Sequence, residues 1–317
     1  MIIRLGYVSI ALNLDKITSS STLTYARYLK MDNEQERINK LKSVTYSNIE
    51  ALEEILKYNI RNQIHFYRMT SNLIPLATHP EVEWDFLKYF QKDLEYIGKI
   101  IKDNNLRVDA HPDQFNVINS DRDSVVQATI NNLRVQKKIF DAMKYDGLMV
   151  IHIGGAKGGK EEATNRFFEN LKSFPKEISQ RLILENDDKT YTTKEVLEIC
   201  KKANLPMVLD IHHHNCNNEG ECIKDMIKEI FDTWNNSEYR PKIHISSPRE
   251  FEKDRKHADY ITVEEFIEFI RMVKEVDGRD FDVMIEAKKK DLALEKLMED
   301  IKEYENINII DRSTIEL

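Results

Sequence analysis

The sequence predicts an α/β protein of the (β/α)8 TIM-barrel type, a single domain over residues 1–317. Three observations predict it. Short β-branched runs alternate with longer charged amphipathic segments, the pattern of a parallel sheet covered by helices. Eight such units fit within 317 residues, a length at which a closed barrel is routine. The first strand-to-helix turn, Tyr7-Val8-Ser9-Ile10-Ala11-Leu12-Asn13, also lacks the glycine cluster that opens a doubly wound dinucleotide fold.

The expected strands cover 2–8, 60–66, 106–110, 148–153, 182–184, 207–211, 242–245 and 281–285, with helices over 34–58, 83–104, 122–145, 160–173, 193–203, 221–236, 262–277 and 291–304. Capping sequences mark helix starts at Ser120-Asp121-Arg122-Asp123 and Thr192-Thr193-Lys194-Glu195. No linker, low-complexity tract or internal repeat divides the chain.

Composition narrows the class. The chain is 41% hydrophobic and 32% charged, as expected of a soluble protein with an ample core. No apolar run approaches the roughly 20 residues of a membrane span. The opening MIIRLGYVSIALNLDK alternates like a strand rather than a signal peptide, so the expectation is a cytoplasmic protein. Cys200, Cys216 and Cys222 are too few, and odd in number, for a disulfide framework, and C-x5-C matches no common zinc motif. A net charge of −8 gives no overall basic footprint. Contact with nucleic acid therefore falls to local basic faces: Lys157/Lys160, Arg249/Lys253/Arg255/Lys256 or Lys288/Lys289/Lys290.

The chemistry lies at the strand ends. His111, His152, the run His212-His213-His214, and His244 follow or close predicted strands, and His257 comes in the next loop. Glu185, Asp210 and Glu286 fall in the same register. In a parallel barrel these ends share one face. Imidazole and carboxylate suit zinc or manganese, and a carboxylate that bridges two ions gives the arrangement that clamps an in-line phosphoryl displacement. Burying so many ionisable groups without a cation would be costly. Asp210 and His213 form D-x-x-H, although spacing alone does not choose among the three adjacent histidines. Gly154-Gly155-Ala156-Lys157-Gly158-Gly159-Lys160 satisfies G-x4-G-K, but Glu161 stands where a P-loop needs Ser or Thr, so it reads as a basic loop touching substrate phosphate. In His111-Pro112-Asp113-Gln114-Phe115, a proline-stiffened turn presents an amide beside an aromatic ring, a pair suited to entering a base stack.

In this order the motifs resemble the UV damage endonuclease family: R-L-G-Y at 4–7, H-P-D-Q-F at 111–115, H-I-G-G at 152–155, L-E-N-D-D at 184–188, D-x-x-H at 210–213, K-I-H at 242–244, H-A-D-Y at 257–260 and E-A-K-x-K-D at 286–291. The resemblance implies a barrel related to endonuclease IV, holding two or three divalent ions, manganese foremost, with zinc, cobalt or magnesium as alternatives. It implies one ion on His111, His152 and Glu185, a second on Glu185, Asp210, His244 and Glu286, and a third on His213 and His257. Lys242 would be carboxylated and act beside Glu185 and Glu286 in catalysis. Gln114 and Phe115 would probe the lesion, which Tyr7 and Asn13 would also contact. The implied partner is double-stranded DNA carrying cyclobutane dimers or 6-4 photoproducts, cut immediately 5′ of the lesion by a monomeric, nucleoid-associated enzyme that starts excision repair. Three other readings share part of the pattern: a xylose-isomerase-like sugar isomerase or epimerase, an abasic-site endonuclease, and a lesion binder without catalysis.

Overall fold

The computed structural model describes residues 1–317. In chain order its elements are β1 (Ile2–Val8), α1 (Tyr25–Leu29), α2 (Glu34–Arg61), β2 (Phe66–Met69), α3 (Leu87–Asp103), β3 (Arg107–Ala110), α4 (Asp123–Ala142), β4 (Met149–His152), α5 (Lys160–Leu171), α6 (Lys176–Ser179), β5 (Leu182–Glu185), α7 (Thr193–Ala203), β6 (Met207–Asp210), α8 (Ile211–Cys216), α9 (Ile223–Asp232), β7 (Lys242–Ile245), α10 (Val263–Val276), β8 (Phe281–Ile285), α11 (Lys290–Ile301), β9 (Asn308–Ile309) and β10 (Thr314–Glu316). Strands β1 to β8 pair in parallel and in sequence order, and β8 returns to β1 to close the barrel. The fold is the predicted TIM barrel.

The elements differ from the sequence reading at the second strand, the end of α2, the helix before β7 and the C-terminus, and the short helices α1 and α6 are additional. The second strand is Phe66–Met69 rather than 60–66. Helix α2 runs on to Arg61 because Leu52, Ile55, Leu56 and Asn59 continue its buried face, and the chain turns only at Gln63, where φ is +56°. The expected helix over 221–236 is shorter, and a separate turn of helix, α8, precedes it; Asp210 caps α8 by accepting a hydrogen bond from the His213 amide. The C-terminal β10, not foreseen, pairs antiparallel with Ile2–Arg4 of β1 and carries β9 outside it.

A core of 68 buried residues fills the space between sheet and helices. Helix α3 shows how each helix joins it: Phe90, Leu94, Ile97 and Ile101 recur at helical spacing and face the sheet. Inside the barrel the packing is partly apolar and partly ionic. One small cluster joins Val150, Ile183 and Val208 to Leu148 and Trp234, and another holds Val8, Phe66 and Met284. Beside these runs a string of charges. Arg4 donates twice to Asp282 at 2.7 Å, Arg107 donates to the same carboxylate at 2.8 Å, and Lys242 donates to Asp109 at 2.9 Å. Arg107 also lies 3.4 Å from Asp109, with its guanidinium against the rings of Phe66, Trp234 and Tyr239. Burial pushes the Asp109 carboxyl up, but Lys242 and Arg107 outweigh burial and hold it below its ordinary range.

Buried charges survive only while paired, and removing one partner from such a group costs about 3–5 kcal/mol. Arg107→Met, close in volume but uncharged, strips a cation from both Asp109 and Asp282. Urea denaturation should show a loss of stability of about that size, and a loss under about 1 kcal/mol would mean the string is not structural.

Candidate metal centre

Alternation along each strand carries the charged string upward into a second tier. Asp109 lies two residues before His111, Lys242 two before His244, and Asp282 and Met284 below Glu286. The upper tier gathers at the C-terminal mouth of the barrel. Glu185, at the end of β5, is its centre. One of its oxygens lies 2.9 Å from His111 Nε2 and 3.6 Å from His152 Nε2; the other lies 2.7 Å from His244 Nδ1 and 3.7 Å from His213 Nδ1. His244 Nδ1 is also 3.1 Å from Glu286.

The ligand-type atoms fall into two groups, His111 with His152 and Glu185, and Glu185 with Asp210, His244 and Glu286; within each they lie within 4.8 Å of one another. Glu185 belongs to both. His213 and His257 stand beside the groups, their rings 6.4 Å apart. Of the three adjacent histidines, His213 reaches the carboxylates, while His212 stacks on the His257 edge and His214 bonds to Thr193.

The ring nitrogens are oriented from behind. The Nδ1 atoms of His111, His213 and His257 meet the carbonyl oxygens of Pro112, Asn186 and Glu286 at 3.1, 2.9 and 2.7 Å, which leaves Nε2 on the open side. His152 has the same relation to the Glu185 carbonyl at 3.3 Å. Asn186 ties two ligand strands together, donating to the Asp210 carbonyl and accepting from its amide.

Electrostatics show what the cluster lacks. Burial pushes the Asp210 carboxyl up to about 7, with Glu185 and Glu286 adding to the effect and His213 opposing it. Burial acts on His213 in the other direction, yet Asp210 and Glu185 raise its imidazole to about 9. Burial lowers His244 to about 4 although Glu185 and Glu286 oppose it, so near neutrality it carries a free lone pair. Glu185 and Glu286 stay below the ordinary range against burial, Glu185 because of His244 and His152, Glu286 because of Arg68 and His244. Asp210 Oδ2 and His244 Nε2 are buried without a partner. Three carboxylates crowded against histidine rings, with an orphaned carboxylate oxygen and an orphaned ring nitrogen among them, fit a divalent cation.

The cluster floors an open cleft of about 500 Å³. Gln114 and Phe115 line it, and Phe115 is 74% exposed, on a turn fixed by Asp113, whose side chain accepts from the Phe115 amide at 2.9 Å. Other expected contacts fall elsewhere. Tyr7 does not reach the cleft: it is fully buried, its hydroxyl donating to Asn59 of α2 at 2.6 Å. Asn13 is exposed but lies outside the cleft lining, bonded to Tyr58 and Glu295. Lys157 and Lys160 pair with Asp121 and Glu195. Lys242 is one level below the ligands, held by Asp109. Arg68, by contrast, lines the cleft and pairs with Glu286, and sequence reasoning missed it. With the second strand set too early, Arg68 fell in a loop; its register opposite Asp109 turns it inward.

Barrels with a histidine–carboxylate cluster at the C-terminal mouth form a class that uses one scaffold for several chemistries. Within it, this chain belongs to the UV-endonuclease UvdE family, whose family model matches residues 3–317. The "UV DNA damage endonuclease" of Bacillus cereus (strain Q1) is 41% identical over the full length of both chains, and that of Bacillus thuringiensis subsp. konkukian (strain 97-27) is equally similar. The crystal structure of SacUVDE superposes with a TM-score of 0.84 at 35% identity, covering 95% of this chain and 98% of that one. A D-tagatose 3-epimerase-like protein matches at a TM-score of 0.55 and 16% identity, covering 78% of this chain and 91% of its own, a likeness of fold alone.

Between pH 7 and 9 the free protein holds a proton on His213 while Asp210 is ionised. An ion bound by His213 must displace that proton. Manganese titrations by calorimetry in buffers of different ionisation enthalpy should show proton release that fades above pH 9, and His213→Ala should abolish that component.

Proposed function

We propose that the protein is a metal-dependent DNA endonuclease that hydrolyses the phosphodiester immediately 5′ of UV photoproducts, including cyclobutane dimers and 6-4 photoproducts. It starts their excision repair as a single-domain monomer on cytoplasmic, nucleoid-associated DNA. The observation that carries this reading is the position of Glu185, shared by two ligand groups on the floor of a cleft whose rim presents Gln114 and Phe115. The relatives' names supply the lesion. No helix is long and apolar enough to cross a membrane, and all three cysteines are free.

In this reading Phe115 enters the base stack beside the lesion, and Gln114 offers amide hydrogen bonds to the displaced bases. His111, His152 and Glu185 hold one manganese ion, Glu185, Asp210, His244 and Glu286 a second, and His213 with His257 a third. Bound there, the ions supply Lewis acidity, a water of lowered pKa and compensation for charge on the leaving oxygen. Glu185 fixes the spacing of the groups, and the neutral His244 lends its lone pair without carrying a proton into the site. The strand ends set these positions before DNA arrives, so the cut follows from which phosphate the Phe115 wedge delivers to Glu185. A carbamate on Lys242 would need the neutral amine, which burial favours and the Asp109 carboxylate opposes; carbon dioxide would add to it with loss of one proton, and the ion pair to Asp109 would be given up.

The test is a nicking assay on a duplex with one cyclobutane dimer. The native protein with manganese should cut once, on the 5′ side, leaving 3′-hydroxyl and 5′-phosphate ends, and chelation should stop it. Glu185→Gln should abolish cutting and lower the bound metal per chain while lesion binding persists. Phe115→Ala should weaken lesion binding about 10-fold or more, in line with about 1–3 kcal/mol per stacked base. An undamaged duplex cut as fast as the damaged one would defeat the lesion assignment.

A further inference from the structure

We infer that Arg68, backed by Lys290, forms an anion subsite on the rim of the metal centre and takes a non-bridging oxygen of the phosphodiester; as a contact to DNA this rests on the nuclease reading above. The argument begins with the register of β2. Phe66 packs inside the barrel with Val8 and Met284, and the residue two further on points the same way. Arg68 therefore rises from the interior beside the mouth, its side chain only 15% exposed, among cleft residues that include Ser9, Thr70 and Ser71.

Its bonding is incomplete. A guanidinium has five N–H donors in a rigid fork, and Arg68 uses one nitrogen, Nη1, on Glu286. Arg4 makes two bonds to Asp282; Arg107 also leaves Nε and Nη2 without hydrogen-bond partners, but it is sealed under three aromatic rings, whereas Arg68 opens on the cleft. Lys290 adds a second cation. It opens α11 with φ of +50°, is partly buried, and its ammonium makes neither ion pair nor hydrogen bond. Burial lowers its pKa, Arg68 lowers it further, and Glu286 opposes both.

The carboxylate that Arg68 bonds is a member of the second ligand group, and Lys290 stands four residues beyond it in the chain. When Glu286 gives its charge to a metal ion, Arg68 loses the carboxylate it bonds, and Lys290 has no ion pair of its own. A phosphate oxygen restores the balance, and the fork geometry of Arg68 suits it better than a point charge would. Holding Glu286 in place is the rival role for Arg68, and the two roles predict different results.

The test uses the full chain loaded with manganese, as native protein, Arg68→Gln, Arg68→Lys and Lys290→Met. Inorganic phosphate binding is measured by calorimetry, bound manganese by elemental analysis, and nicking of the dimer duplex as separate kcat and KM. Arg68→Gln should weaken phosphate at least 10-fold, keep its manganese, and lower kcat by about 10²–10³ with KM little changed, the range seen when one preorganised donor to a developing charge is removed. Arg68→Lys should fall between native and Gln, and Lys290→Met should weaken phosphate more mildly. The inference is overturned if Arg68→Gln binds phosphate as tightly as native protein. It is equally overturned if that variant loses manganese and excess manganese restores both binding and cutting, because Arg68 then only positions Glu286. If native protein binds phosphate through Arg68 but leaves dimer DNA uncut, the subsite stands and the DNA reading fails.

Discussion

Glu185 accepts His111 on one oxygen and His244 on the other, across the mouth of the barrel. These partners come from β3 and β7, on opposite sides of β5 in the sheet order, so the contact exists only when the barrel is closed. The remaining ligand-type side chains arrive from β4, β6 and β8 by the same closure. The site is therefore a property of the whole sheet rather than of any local motif. Its electrostatics follow: carboxylates that would repel one another in water are brought to a common point, His244 and His152 stabilise Glu185, Arg68 and His244 stabilise Glu286, and Asp210 is left displaced toward its acid form.

The level beneath explains how such a cluster is tolerated. TIM-barrel interiors are commonly filled with branched aliphatic side chains. Here only part of the volume is apolar, and the rest is the Arg4, Asp282, Arg107, Asp109 and Lys242 string. Hydrophobic residues of similar volume are often equally stable or more stable than buried ion pairs. What the string provides is direction. Each bond fixes the height of a strand against its neighbours; β7 carries His244, and β3 and β8 lead directly into His111 and Glu286. A polar interior also gives Arg68 a route to the mouth that an aliphatic layer would close.

Much of this was legible in the chain. The barrel follows from alternation, and the ligand residues from histidines and carboxylates that close β-branched runs such as LILE and MVLD. Local periodicity failed where tertiary packing decided the outcome. The segment 60–66 looks extended by composition, but the buried face of α2 holds its first residues in the helix. That error hid Arg68, since inward or outward facing depends on register. Tyr7 sits in the family-like R-L-G-Y opening, yet strand alternation turns it toward the helices, and alternation cannot be counted from a motif alone. The choice of His213 over its neighbours needed α8, a single helical turn too short to announce itself.

The buried string bears on how this sequence can change over time. Replacing Asp109 or Asp282 alone strands a cation, and replacing a cation alone leaves a buried carboxylate with one partner in place of two, so neutral drift at these positions is blocked one step at a time. They can be exchanged only in concert, as opposite charges swapped together or as the whole group converted to apolar packing. The barrel interior should accordingly behave as one inherited unit, slow to vary and correlated when it does, while the helices outside diverge freely around it.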